Sequence, residues 1–322
     1  MNYNKADLEK TSRELHVVRD TLEKVVRLAD ILRLFEEDKV LSGSFALKGG
    51  TAINLMVFDL PRLSTDIDLN LSENVPKDDL FERRKLLRDR IDVLMEKEGY
   101  SLGARSRFSF SLDSLLFEYT NAGGNRDRLK MDLNYSLRTH VLPLCKDSSK
   151  PAFIKRFSTT MVHPIEVYAS KTVALMTRAA ARDLYDMNYF VRNIKMKPEK
   201  AELYRKSVVF YHALSGDPTH LSFDAMKGIT PNVVFRDLVQ VMRDRESFKL
   251  EEAKNTVRVF LEENIRPTEK EMLFLKKFVK GEYHPELVFD SPDILSRLEN
   301  HPMALWRVQA YKNAKEKDTL VR

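Results

Sequence analysis

The chain has 322 residues, with 54 Lys and Arg against 48 Asp and Glu for a formal charge of +6; 43% of positions are apolar and 32% charged. That length and apolar content exclude a globally disordered or fibrous chain and predict a core that splits into two domains. A single cysteine, Cys145, excludes an internal disulfide framework and a Cys-ligated zinc site, and the seven histidines contain no i,i+3 or i,i+4 pair that would suit a metal. The N-terminus lacks a signal-peptide pattern, and no run of about 18 apolar residues occurs, so the expectation is a cytoplasmic protein with no membrane association.

In chain order, apolar residues from Lys5 to Phe35 recur at helical spacing and predict one long amphipathic helix or two shorter ones. Ser44 to Leu47 reads as a strand ending at Lys48-Gly49-Gly50-Thr51, and a helix begins near Ala52. Ser64 to Leu71 alternates polar and apolar as a half-buried strand, followed by a helix from roughly Lys77 to Glu98. Phe108, Phe110 and Leu112 alternate again, the turn formers of Asn121 to Asn125 follow, and Leu129, Met131, Leu133 and Tyr135 resume the pattern, which predicts a hairpin.

Seven of the ten glycines fall at or before Gly124, whereas ten of the twelve prolines fall at or after Pro143. The break is therefore expected in 143–158, dividing the chain into a mixed α+β domain (1–150) and a mainly α-helical domain (151–322). Trp306 reads as a core anchor of the last helix.

The chemistry is concentrated around Asp66-Ile67-Asp68. Residues i and i+2 of a strand share a face, so the two carboxylates point one way while Ile67 and Leu69 face the core. Such a pair suits a hard divalent cation, although by itself an Asp-x-Asp strand is more often a solvated outer face. Sixteen positions earlier, Gly50 closes a strand-to-helix junction whose bare N–H groups could approach phosphates, or simply make a turn. It is not a Walker A loop. Asp132 shares its strand face with Lys130 and Asn134. If that strand neighbours the Asp66 strand, three carboxylates converge with room for two Mg²⁺ ions.

Gly49-Gly50-Thr51-Ala52 with Asn54-Leu55, then Arg62-x-Ser64-x-Asp66-Ile67-Asp68-Leu69, then Asp132, together resemble the motif set of the DNA polymerase β-like nucleotidyltransferases. Within them the chain is similar to the AbiEii/AbiGii family, the toxin halves of phage-defence toxin–antitoxin pairs, which includes the MenT toxins. Ala169-Ser170-Lys171-Thr172, Arg178 and Arg182-Asp183-Leu184-Tyr185-Asp186 resemble that family's Lys-bearing helix and the Arg-Asp-x-x-Asp helix after it. The resemblance spans about 45 to 195.

It implies a polymerase β-like nucleotidyltransferase fold with a mixed sheet, followed by an α-helical domain that completes the active-site cleft. It also implies Mg²⁺-dependent transfer from an NTP to an acceptor hydroxyl. Asp66, Asp68 and Asp132 would hold the metals, Gly49, Gly50 and Thr51 would meet the phosphates, and Ser64 and Lys48 would line the same nucleotide pocket. Lys171 would contact the nucleotide, with Asp186 in the same pocket and Arg182 and Asp183 orienting the helix. The implied acceptor is the tRNA 3′ end and the implied partner a cognate antitoxin. Modification of a protein hydroxyl, or a non-catalytic scaffold that binds RNA or a partner, are the rival readings.

Overall fold

The computed structural model describes residues 3–320 apart from 77, 216–217, 219–220 and 244–246, so Lys77 and His220 lie outside the described residues. The chain divides into two compact units, the first formed by residues 1–138, 144–162 and 239–245, the second by 139–143, 163–238 and 246–322.

The first unit opens with two helices, α1 (Lys5–Glu14) and α2 (Arg19–Glu37). They are separate because His16 adopts a positive φ of 55°, a left-handed conformation that ends a helix. Along α2, Leu22, Val25, Leu28, Ile31, Leu32 and Phe35 are buried at helical spacing. Buried on the same helix is a charged pair: Arg27 donates to Glu23 at 2.8 Å. Glu23 in turn accepts from the Ala122 backbone N–H at 2.9 Å, fixing the 121–125 turn to α2.

The sheet has the strand order β3-β5-β6-β2-β1-β8-β7, with β4 pairing β5. These strands are β1 (Phe45–Lys48), β2 (Asp66–Leu71), β3 (Ser101–Leu102), β4 (Arg107–Phe108), β5 (Leu112–Thr120), β6 (Arg126–Asn134), β7 (Cys145–Ser148) and β8 (Ser158–Met161). It is mixed: β2 runs parallel to β6 and β1 parallel to β8, whereas the β1/β2, β5/β6 and β7/β8 pairs are antiparallel. One face is apolar, with Ile67, Leu69, Leu115, Phe117, Met131 and Leu133 buried. Between β1 and β2 a three-residue helix, α3 (Gly49–Thr51), widens into a π turn over Ala52–Val57. Helix α4 (Leu80–Lys97) buries Leu80, Leu87, Ile91 and Met95.

Two local expectations change. Phe108 and Phe110 do not continue the β5 alternation: they are 50% and 68% exposed, because a bend held by the Ser109 hydroxyl and Leu112 separates β4 from β5. The inward set on β5 is instead Asp113, Leu115, Phe117 and Tyr119. The stretch 143–158, where turn formers cluster in the sequence, carries β7 and the start of β8. The β7 residues Cys-Lys-Asp-Ser have no apolar alternation, so the sequence gives no strand signal there.

The second unit contains helices and short turns. They are α5 (Pro164–Thr177), α6 (Ala181–Asn193), α7 (Pro198–Ser215), α8 (Pro231–Asp237), α9 (Leu250–Asn264), α10 (Glu269–Phe278), α11 (Pro292–Leu298) and α12 (Pro302–Leu320). An aromatic cluster joins them: Tyr168 stacks on Phe190 at 4.0 Å, and Phe260 meets Phe190 and Tyr204 at 5.9 and 6.0 Å. Glu166, fully buried on α5, accepts from the Val141 and Leu142 N–H groups at 3.1 and 3.0 Å and so pins residues 139–143 to that helix. Burial works against its charge, but His140, Tyr211 and the Leu142 amide hold it below the usual carboxylate range. Trp306 is not a core anchor. It is 59% exposed, because α12 turns Ala304 and Val308 inward. Among the described residues, no helix is long and apolar enough to cross a membrane.

Candidate active site

The β-sheet register sets the geometry of the acidic cluster. Asp66 pairs with Lys130 and Asp68 with Asp132 across the parallel β2/β6 pair, so three carboxylates and one ammonium form a two-by-two grid. Adjacent strands lie about 4.8 Å apart, which makes Asp68 and Asp132 lateral neighbours on the polar face. The row continues both ways: Lys48 of β1 is the register partner of Asp68, and Ser114 of β5 that of Asp132.

Both oxygens of Asp132 are engaged within the chain. The Ser114 hydroxyl donates to Oδ1 at 2.6 Å, and the Lys130 ammonium to Oδ2 at 2.6 Å. Burial works against the charge on Lys130, but the bond to Asp132 and the fields of Asp132, Asp66 and Asp68 raise its pKa above the usual lysine range. Lys48 moves the other way: desolvation lowers its pKa, and Asp68 and Asp132 only partly compensate.

The Gly49-Gly50 segment lies against this grid. Gly49 has φ +68°, and a Cβ there would drive into the Asp68 carboxylate. At Gly50 an added Cβ would come within 2.9 Å of both the Ser64 hydroxyl and an Arg62 guanidinium nitrogen. Two requirements therefore fix glycine here, the backbone conformation and the close approach. Thr51 donates to the Asp66 carbonyl at 2.5 Å and lies 3.0 Å from the Ser64 hydroxyl, tying the segment to the start of β2. Asn54 donates to the Gly50 carbonyl at 2.7 Å and accepts from the Arg62 N–H at 3.2 Å. Arg62 is itself buried.

The other expected residues form a cluster of their own in the second unit. Lys171 on α5 is buried and ion-paired with Asp183 at 2.8 Å and Asp186 at 3.0 Å, both on α6. Arg178 adds a bond to Asp183 at 2.7 Å. Despite burial, Lys171 and Arg178 together hold the Asp183 pKa below the usual range. Arg182 donates to the Asp237 carbonyl at 2.8 Å.

The structure thus brings Asp66, Asp68 and Asp132 together with Lys48, Gly49, Gly50, Thr51 and Ser64 in the first unit, and Lys171 with Asp186 in the second. It adds Lys130, Ser114 and Arg62. Lys130 was readable as a same-face neighbour of Asp132, and Arg62 stands within the motif, but Ser114 depends on hairpin register, which the sequence does not specify.

Among the described residues no three His, Cys, Asp or Glu side chains are gathered into a metal cage. Asp66 and Asp68 nevertheless fit Mg²⁺, which binds through one or two carboxylates, substrate phosphates and retained waters.

Paired carboxylates on one strand face beside a glycine turn are the arrangement on which the sequence resemblance rests. The family model described as nucleotidyl transferase AbiEii toxin, type IV TA system, matches residues 32–281, and the chain belongs to this family of nucleotidyltransferase toxins from type IV toxin–antitoxin systems. Among the solved structures that match is MenT4, a nucleotidyltransferase toxin from Mycobacterium tuberculosis H37Rv, with a TM-score of 0.58 and 16% identity, covering 97% of this chain and 98% of that one. At that identity the likeness is one of fold. No curated protein matches the chain.

Proposed function

We propose that this toxin acts in the cytoplasm, in phage defence, by transferring a nucleotidyl group from an NTP to the 3′-terminal hydroxyl of tRNA, releasing pyrophosphate, and that a cognate antitoxin restrains it. The observation that carries the reading is the placement of Asp66 and Asp68 on one strand face directly beside the Gly49-Gly50 turn, in a chain of the AbiEii family.

In this reading Asp66 and Asp68 hold Mg²⁺, which when bound supplies positive charge to the triphosphate and the departing pyrophosphate. The N–H groups of Gly49 and Gly50 meet phosphate oxygens, with the Thr51 and Ser64 hydroxyls and the Lys48 ammonium beside them. Asp132, oriented by Ser114, accepts a hydrogen bond from the acceptor hydroxyl and draws its proton as the new phosphoester bond forms. Lys171 contacts the nucleotide, held ready by Asp183 and Asp186.

The test is incubation of the purified protein with Mg²⁺, each α-labelled NTP in turn, and total tRNA or antitoxin protein. Label at the tRNA 3′ end supports the reading, and label on protein moves the acceptor to a protein hydroxyl. Absence of label from every acceptor with every NTP rejects transfer.

A further inference from the structure

We infer that Lys130 is a resident cation of the site, occupying the place beside Asp132 that a second metal ion would need, so that the chain takes one divalent ion, at Asp66 and Asp68. The inference rests on the proposed nucleotidyl-transfer reading and replaces the two-ion arrangement expected from sequence.

Charge balance gives the first argument. Three unscreened carboxylates on adjacent strand positions would call for more than one divalent ion to offset them. Here Lys130 occupies the fourth corner of the grid, opposite Asp66, and Lys48 extends the row beyond Asp68. Lys130 alone against three carboxylates leaves two formal negative charges, which a single divalent ion offsets.

Occupancy gives the second. The Lys130 ammonium is 2.6 Å from Asp132 Oδ2 and the Ser114 hydroxyl 2.6 Å from Oδ1, so each oxygen already has a donor at hydrogen-bonding distance. An ion bound to Asp132 would sit within a few ångströms of the ammonium and be repelled by it. Lys130 is tethered two residues from Asp132 on the same strand face, so the interaction is built into the strand. Its side chain is 44% exposed, and replacing it leaves the apolar face of β6 untouched.

Lys130 is therefore a positioning residue. It holds Asp132 as an acceptor of hydrogen bonds and keeps that carboxylate out of the metal's ligand set.

The experiment is a Mn²⁺ titration of the full chain followed by electron paramagnetic resonance, counting ions bound up to millimolar Mn²⁺. It compares the natural protein with Lys130→Met, Lys130→Arg and Asp66→Asn/Asp68→Asn, with thermal melting to confirm each fold. The expected result is one ion for the natural protein and for Lys130→Arg, two for Lys130→Met, and none for the double variant. Two ions on the natural protein, or one on Lys130→Met, overturns the role of Lys130 while leaving the metal pair intact. No ion on the natural protein, or unchanged binding by the double variant, overturns the assignment of Asp66 and Asp68 and the inference with it.

Discussion

Asp68 on β2 and Asp132 on β6 are register partners across parallel strands, with Lys48 beyond the first and Ser114 beyond the second. Like charges placed side by side in a sheet destabilise it unless cations share the row. Replacing either Asp66 or Asp68 by Asn should reduce nucleotidyl transfer on the order of a hundredfold or more. Both side chains are half-buried and Asp68 offsets the burial of Lys48, so a modest change in folding stability should accompany the loss. Transfer assays paired with urea denaturation separate the two effects.

Gly49→Ala should act on both conformation and contact. The positive φ alone costs roughly 1–2 kcal/mol for a residue with a Cβ, and the added methyl displaces the Asp68 carboxylate. The expected outcome is a stability loss of about that size together with a loss of transfer larger than stability explains. Gly43, also at positive φ but with no atom within 4 Å of an added Cβ, is the control: Gly43→Ala should show the stability loss alone.

Asp113 is a buried acid on the inward face of β5. It is 1% exposed, bound by Arg84 at 2.9 Å and by the Tyr135 hydroxyl at 3.0 Å. Removing one partner of a buried ion pair strands the other. Arg84→Ala should therefore destabilise the protein by about 3 kcal/mol, and Arg84→Ala/Asp113→Ala by less than the sum of the two single variants, as a denaturation double-mutant cycle would measure.

His301 should make stability depend on pH in a mildly acidic window. Burial, followed by the field of His140, pushes its pKa down from the ordinary 6.5 to about 4. The unfolded chain binds a proton below pH 6.5 that the folded chain refuses until about pH 4, so this contribution is complete above pH 6.5 and is lost as pH falls. Between pH 7 and pH 5 the loss amounts to about 2 kcal/mol. The carboxylates Glu166 and Asp183, whose folded pKa values lie below the ordinary range, lose their contributions only at lower pH. Urea denaturation at pH 7 and pH 5 should show a larger difference in the natural protein than in His301→Asn, in which His163, its pKa also lowered by burial, still contributes.

Much of the first unit was legible because alternation and turn chemistry agree: β2, β6 and the 121–125 turn follow from Ile67, Leu69, Met131, Leu133 and the Asn/Gly cluster. The facing of Asp132 away from the core was equally readable from Met131 and Leu133. Strand adjacency was not, since nothing local to Asp66 or Lys130 states that β2 and β6 pair in parallel; that pairing is a long-range consequence of how the sheet closes. Phe108, Phe110 and Trp306 misled for the opposite reason. Large apolar side chains predict burial on average, but a bend at Ser109 and the rotation of α12 leave these three exposed.

The most direct test of the central claim is the incorporation of α-labelled nucleotide by the purified chain with Mg²⁺ and total tRNA, compared with Asp66→Ala/Asp68→Ala. The account predicts label on tRNA 3′ ends from the natural chain, none from the double variant, and loss of toxicity in cells producing that variant. Absence of label with all four NTPs, together with undiminished toxicity of the double variant, would contradict it.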